Sequence, residues 1–333
     1  MIFLYIANFL TVLIFLNYGK VINTFLFSKN KKNQVSTNDI ISGIIYISFI
    51  AIFINFFFPL NVFINDLIFI FGIAFFIINI YHKVSLNHLL KLCLIISSIS
   101  FLIMIFENSN RPDGGLYHLP FISTLNEHKI IFGLSNIHFR FAHTSITQYT
   151  SAVFNNSFFL EKGVTIPISI IITTIFFYFY ENYKSRKNNN FFLVFFFLIV
   201  SFITLKISRY DDIGNDSIGH LFYFLTISYF LTCFYKKEFK YENLYFLVLF
   251  SIFTFANKIF LILSIIFPLF FVLWTRKYEF FFEKKNLILI FFVSIFLFKN
   301  VLISSCAIYP LKISCLKSLS WSSVEKKTHA SPE

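Results

Sequence analysis

Long apolar runs recur along the whole chain and constrain its fold more than any other feature. Ten such runs lie in the 333-residue sequence, at 2–18, 40–59, 62–81, 88–106, 163–181, 191–207, 217–235, 243–256, 259–274 and 286–303. A helix needs about 20 apolar residues to cross the hydrocarbon core of a bilayer. Only 13% of the residues are charged, against roughly 25% in soluble domains. The sequence therefore predicts an all-α polytopic membrane protein with about ten transmembrane helices and excludes a soluble enzyme.

Two details of the span pattern need separate interpretation. The runs at 243–256 and 259–274 are short, and Asn257 and Lys258 separate them. They are predicted to be either two short spans or one broken, re-entrant pair. The run at 2–18 lacks a basic leader and a small-residue cleavage site, which favours a retained span over a signal peptide.

The basic residues between the runs predict the orientation of the chain. They cluster in five short segments on alternate sides of the spans, which together hold Lys20, Lys29, Lys31, Lys32, Lys83, Lys91, Lys184, Arg186, Lys187, Lys236, Lys237, Lys240, Arg276, Lys277, Lys284 and Lys285. An excess of Lys and Arg marks cytoplasmic loops. The net charge of +12 is therefore interpreted as a topology signal, and no nucleic-acid partner is predicted.

This orientation divides the chain into inner and outer parts. Residues 1–303 are predicted to form a single transmembrane domain, with extracytoplasmic loops at 107–162 and 208–216. Residues 304–333 are predicted to be an extracytoplasmic tail. This tail is either short or the beginning of a longer part that has been truncated. Nearly all residues capable of chemistry fall in these outer parts.

The first outer loop concentrates polar side chains. It contains Asp113, His118, His138, Arg140 and His143 in a chain that is otherwise poor in such residues. Asp113 is interpreted either as the N-cap of a following helix or as a catalytic carboxylate, with His118 as its catalytic companion. Arg140 is either a phosphate clamp or a snorkelling interfacial residue.

The same loop predicts an interfacial helix and leaves a metal site open. The apolar spacing over 116–126 fits an amphipathic helix lying along the membrane surface. His118, His138 and His143 are candidate metal ligands, but their spacing matches no metal motif. Substrate binding by His138, Arg140 and His143 is therefore favoured, no cofactor is assigned, and a divalent metal stays open.

The second outer loop and the tail add further candidates. Arg209 is a second candidate phosphate clamp. Asp216 and His220 lie four residues apart at the start of an apolar run, so they share one helix face and are predicted to pair and to bind substrate. Cys306 and Cys315 are either a disulfide on the oxidising side or two free thiols.

Three short motifs give the chain a resemblance to known proteins. They are Asp113 followed by LYHL at 116–119, GLSNIHFR at 133–140, and the late pair Tyr309-Pro310. The chain resembles a group of bacterial multi-pass membrane proteins that carry D-x-x-LYHL, GL-x-N-x-H-x-R and a late YP. In architecture that group is similar to the GT-C glycosyltransferases. Their catalytic acid follows the first span, whereas Asp113 follows the fourth apolar run.

The resemblance implies an activity and a location. It implies a sugar transfer from a polyprenyl-phosphate donor to a glycan or lipid-linked acceptor, at the outer face of the bacterial inner membrane, in cell-envelope glycan synthesis. Asp113 would be the base, and Arg140 with Arg209 would hold the phosphate. Two alternatives remain: an O-antigen polymerase or ligase type enzyme using Arg140 and His143, and a non-enzymatic transporter or flippase. The partners in the first case are membrane lipid, the lipid-linked sugar and the acceptor.

Overall fold

The described residues of the chain are helical, as the sequence predicts. The computed structural model describes residues 1–27, 34–105, 113–143, 145–185, 190–205, 215–237 and 239–322. Within these ranges lie twelve α-helices: α1 (Ile2–Leu26), α2 (Thr37–Asn55), α3 (Val62–Tyr81), α4 (Leu86–Ile105), α5 (Leu119–Glu127), α6 (Ile146–Val153), α7 (Ile166–Ser185), α8 (Asn190–Leu205), α9 (Asn215–Lys236), α10 (Tyr241–Asn257), α11 (Ile266–Thr275) and α12 (Leu287–Ser304).

Seven helical segments of the described chain are long and apolar enough to cross a membrane. They correspond to α1, α2, α3, α4, α7, α9 and α12, the α7 and α12 segments including a preceding 3-10 turn. The predicted count of about ten is thus matched only in part. The runs at 191–207 and 243–256 form helices of 16 and 17 residues, which at 1.5 Å per residue cover roughly 25 Å of a core about 30 Å thick.

The two short runs at 243–256 and 259–274 form a helical hairpin. Helix α10 ends at Asn257, and Lys258 has an extended backbone before a 3-10 segment leads into α11. Ser251 Oγ donates to the Ser264 carbonyl and Ser264 Oγ donates to the Ser251 carbonyl. Because these reciprocal bonds join residues on both sides of the break, the chain reverses at the pair 257–258, which we call the hairpin tip.

Residues 113–164 cover one end of the helix bundle, which we call the capped end. The Leu60 N–H, between α2 and α3, donates to the Leu125 carbonyl, and the Gly133 N–H donates to the Leu302 carbonyl near the end of α12. Ser145 Oγ donates to Asn257 Oδ1 at the hairpin tip, 2.7 Å away. The capped end therefore gathers the end of α2, the start of α3, the end of α12 and the hairpin tip.

The opposite end of the bundle carries the basic residues, and we call it the basic end. Thr37 at the start of α2 donates to Glu181 near the end of α7. Lys277 donates to the Phe239 carbonyl in the α9–α10 connection, and the Lys285 ammonium lies 5.8 Å from the ring centroid of Phe27, which follows α1. The up-and-down order of the helices thus brings the described basic residues Lys277 and Lys285 to one end.

Helices α1 and α2 pack with their backbones in close approach. A Cβ added at Gly19 would lie 1.7 Å from the carbonyl oxygen of Asp39, and one added at Gly43 would lie 1.7 Å from that of Phe15. Small residues allow this approach between helices in membranes. Asn23 then donates to Asp39 Oδ1 across the contact, at 3.0 Å.

The segment 113–164 differs from the predicted interfacial helix at 116–126. Residues 114–118 form one π-turn, and α5 follows it. Of the predicted apolar face, Phe121 and Leu125 are buried, but Leu116 and Leu119 are 67% and 40% exposed, since the π-turn rotates them away from the bundle. Helix α6 is buried along its whole length, and its Thr150 bonds to Ser48 of α2 inside the bundle.

Candidate functional site

Asp113 and Tyr117 form an acid and phenol pair at the capped end. Asp113 is exposed and stands at the start of the π-turn, where its side chain makes no capping hydrogen bond. The Tyr117 hydroxyl lies close enough to Asp113 for the two side chains to interact. The predicted capping role of Asp113 is thus absent from this turn, because the residue has αR backbone angles rather than the extended ones of an N-cap.

Arg140 lies on the face of the same tyrosine. Its guanidinium carbon is 5.4 Å from the ring centroid of Tyr117 and 5.2 Å from that of Phe139. Burial and the charge of Asp113 raise the pKa of Tyr117 to about 12, and Arg140 acts in the opposite direction. The phenol therefore stays protonated at neutral pH and remains a hydrogen-bond donor to the carboxylate.

His118 is the buried member of the group. It is 5% exposed, and Gln148 Nε2 lies 2.9 Å from its Nδ1. The pKa of His118 is lowered to about 4, mainly by burial and to a smaller extent by Arg140, while the charges of Asp113 and Asp216 act in the opposite direction. The two carboxylates and the guanidinium are therefore within electrostatic range of this imidazole, which is neutral at physiological pH.

Asp216 pairs with a residue of the hairpin tip. Lys258 Nζ lies 2.6 Å from Asp216 Oδ1, and the Asp216 side chain is 77% exposed. The predicted pairing partner of Asp216 was His220, which lies one turn further along α9 within the electrostatic range of both Asp216 and Lys258. Lys258 takes the place predicted for His220, because the hairpin tip carries its long side chain to the start of α9.

The hairpin tip is itself held by the start of α6. Asn257 Oδ1 accepts hydrogen bonds from the hydroxyls of Ser145 and Thr147, and Asn257 Nδ2 donates to the Phe253 carbonyl within α10. All three residues are buried. Asn257 therefore joins the tip to the start of α6, and the Asp216–Lys258 ion pair joins the tip to the start of α9.

The two other predicted histidines lie at the edge of the group. The His138 ring stacks on Tyr117 at a centroid distance of 6.5 Å. His143 meets the Tyr309 ring edge to face, with centroids 4.8 Å apart. The structure thus joins Asp113, His118, His138, Arg140 and Asp216 around Tyr117, whereas His143 faces the C-terminal loop.

That loop contains a disulfide. Cys306 and Cys315 are bonded to each other, and the Ala307 N–H donates to the Ser314 carbonyl beside them. The sequence left two alternatives open, a disulfide or two free thiols, and the structure contains the disulfide. Cys93 and Cys233 are buried and lie outside this disulfide.

Two further points concern what the site could hold. Among the described residues, no group of three or more His, Cys, Asp or Glu side chains is placed to bind a metal ion. Arg209, together with Asp211 and Asp212, lies outside the described residues.

Sequence reasoning missed the roles of Tyr117, Gln148, Asn257 and Lys258. Gln148 had a visible signal, because Ser145 followed three residues later by Gln is a capping-box pattern. Lys258 also had a visible signal, because a lysine between two apolar runs is costly in a membrane unless it has a partner. Tyr117 had no signal in the sequence beyond its position next to His118.

Comparisons with known proteins yield one match. A family model described as a domain of unknown function, DUF8201, matches residues 1–331. No curated protein and no solved structure matches the chain.

Proposed function

The chain belongs to the DUF8201 family, and we propose that it is an integral membrane glycosyltransferase. It transfers a sugar from a polyprenyl-phosphate donor to a glycan or lipid-linked acceptor at the outer face of the bacterial inner membrane, in cell-envelope glycan synthesis. Asp113 is the general base that deprotonates the acceptor hydroxyl. Arg140 holds the donor phosphate, and His118 contributes a further polar contact to it.

One observation carries this proposal: Asp113 is an exposed carboxylate that its own helix does not use. It makes no capping bond, and the Tyr117 hydroxyl lies close enough to interact with it. A base has to reach the acceptor hydroxyl within hydrogen-bond distance, and an exposed carboxylate at the end of a bundle is accessible to a substrate. A hydrogen bond donated by the Tyr117 hydroxyl would hold the carboxylate in one orientation.

The charges beside Asp113 favour a phosphate-bearing donor. Arg140 is exposed and lies against the face of Tyr117, so its planar fork is held in place while its donors remain accessible. Lys258 is paired with Asp216, so Arg140 is the cation that we assign to the phosphate. A carboxylate base close to a cation suits the transfer of a group from an anionic leaving group.

Two features support an outer location of the capped end. The Cys306–Cys315 disulfide lies in the loop after α12, and disulfides persist in oxidising compartments. The basic connections gather at the opposite end, as expected for a cytoplasmic face. We propose that α8, α10 and the segment from 259 to 275 complete ten crossings, their short length being accommodated by local thinning of the bilayer.

The site favours this function over the two alternatives. A polymerase or ligase would use clustered arginines without an acid, whereas Arg140 lies beside the Asp113–Tyr117 pair. A transporter would place a carboxylate deep in a path through the bundle, whereas the Asp216 side chain is 77% exposed and paired at the start of α9.

The test is the transferase activity of Asp113→Asn. We expect the purified variant, in nanodiscs with a polyprenyl-phosphate sugar, to lose about 10²- to 10⁴-fold in transfer rate, the range for loss of a general base. In a deletion strain, only the unmodified chain should restore the missing envelope glycan.

Glu127→Gln is the matched control, because Glu127 belongs to the same segment, 113–164, and accepts a hydrogen bond from Ser123 in its own helix. It should keep full activity. Full activity of Asp113→Asn, or a loss of membrane abundance as large as the loss of activity, would contradict the proposal. Unchanged glycans in the deletion strain would favour transport instead.

A further inference from the structure

A chain of three hydrogen-bonded groups leads from the start of α6 to the ring of His118. The Ser145 backbone N–H donates to Gln148 Oε1 at 2.9 Å. Gln148 Nε2 then lies 2.9 Å from His118 Nδ1. Gln148 is 4% exposed and His118 is 5% exposed, so neither side chain can exchange these partners readily with water.

The direction of each bond in this chain follows from chemistry. A backbone N–H can only donate, so the Gln148 atom that it meets is the carbonyl oxygen, Oε1. The other end of the amide is therefore its NH₂ group, which donates to His118 Nδ1. A neutral imidazole that accepts at Nδ1 carries its proton on Nε2.

The surroundings of the ring keep it neutral in this state. Burial lowers its pKa to about 4, and the Tyr117 ring centroid lies 4.2 Å from that of His118. A positively charged His118 would attract the Asp113 carboxylate and make it a weaker base. A neutral His118 leaves this carboxylate available to accept a proton from the acceptor hydroxyl.

We propose that Gln148 is a positioning residue that fixes His118 as the Nε2–H tautomer, and that His118 donates this hydrogen bond to a phosphate oxygen of the lipid-linked donor. The identity of the acceptor rests on the proposed function, whereas the tautomer does not. The proton stays on Nε2 throughout, so His118 neither accepts nor delivers a proton in the transfer. A fixed neutral donor stabilises growing negative charge on the leaving phosphate without competing with Asp113.

The tautomer can be read directly by nitrogen NMR of the protein in nanodiscs with ¹⁵N-labelled histidine, using His118→Gln to assign the signals. We expect His118 Nδ1 to resonate as an unprotonated nitrogen and Nε2 as a protonated one. Gln148→Glu keeps the capping box, because one carboxylate oxygen still accepts the Ser145 N–H. Its second oxygen can only accept, so Nδ1 should become protonated and the His118 pattern should change.

Farnesyl phosphate is the probe for the role in binding. Its addition should shift the His118 Nε2 resonance in the unmodified protein, with His128, which is exposed on the same outer segment, as the internal reference that stays unchanged. Removal of one such donor lowers the rate of an enzyme by about 10²- to 10³-fold, and we expect a loss of that size in His118→Phe.

The outcomes separate the two parts of the proposal. A protonated Nδ1 in the unmodified protein, or an unchanged His118 pattern in Gln148→Glu, overturns the positioning role of Gln148. An Nε2 resonance that does not respond to farnesyl phosphate overturns the donor role. Since the tautomer is measured without turnover, absence of transferase activity would refute the proposed function and leave the test of Gln148 intact.

Discussion

Replacement of Gly19 by alanine should force α1 and α2 apart. The new Cβ would lie 1.7 Å from the Asp39 carbonyl oxygen, whereas ordinary van der Waals contact begins at 3.4 Å. The two helices must therefore move apart by about the difference between these two distances. Overpacking of this kind costs about 1–3 kcal/mol. The shift also lengthens hydrogen bonds from Asn23 to Asp39 and Ser42, and from Tyr46 to Asn23. At about 0.6 kcal/mol each, they bring the expected loss in unfolding free energy to roughly 3–5 kcal/mol.

The assay is reversible unfolding by SDS in mixed micelles, followed by circular dichroism. Gly43→Ala should lose a similar amount, and the double variant less than the sum, because one separation of the helices relieves both clashes. Gly115→Ala is the control, since an added Cβ there meets no atom within 4 Å. An unfolding free energy of Gly19→Ala within about 0.5 kcal/mol of the unmodified chain would refute the close approach, because that is the usual range for surface substitutions.

Three further predictions concern the capped end. The folded pKa of His118 is about 4 against an ordinary 6.5, so between these values the unfolded chain binds the proton that the folded chain excludes. Stability should therefore fall by up to about 3 kcal/mol as the pH drops from 7 to 4, and His118→Gln should show a weaker loss in thermal unfolding. Reduction of the Cys306–Cys315 disulfide, which closes a loop with a sequence separation of nine, should cost about 2–3 kcal/mol; alkylation and mass spectrometry should find these two thiols reactive only after reductant. Asp216→Asn should change stability by less than about 1 kcal/mol, because its carboxylate is largely exposed, and a larger loss would mean that the pair holds the hairpin tip in place.

The helical class and the break at 257–258 were predictable because each depends on local properties of the chain. Apolar runs identify buried or lipid-facing helices regardless of what they touch, and two polar residues between such runs mark an end. The number of crossings was harder to predict, because the length of an apolar run does not fix the length of its helix. The run at 243–256 lies within a longer helix of 17 residues, and the run at 191–207 overlaps a helix of 16 residues.

The candidate site was predictable in its residue types and less so in its pairings. Asp113, His118 and Arg140 stood out as polar residues in an apolar chain, and the structure groups them. The partner of Asp216 was not predictable, because Lys258 is 42 residues away and approaches through the hairpin. The exposure of Leu116 was also missed, since a helical period of 3.6 residues no longer applies where the backbone forms a π-turn.

The bonds at the hairpin tip have a consequence for the biosynthesis of the protein. Chains emerge from the ribosome with the N-terminal part first, so residues 113–148 leave the ribosome well before Asn257 and Lys258. Until those two residues are inserted, Ser145, Thr147 and Asp216 lack the partners that they have in the finished bundle. The acid and phenol pair can form locally, but its surroundings close only once the tenth helix is in place. A nascent chain that stops before residue 257 would therefore carry the residues of the site without its shape.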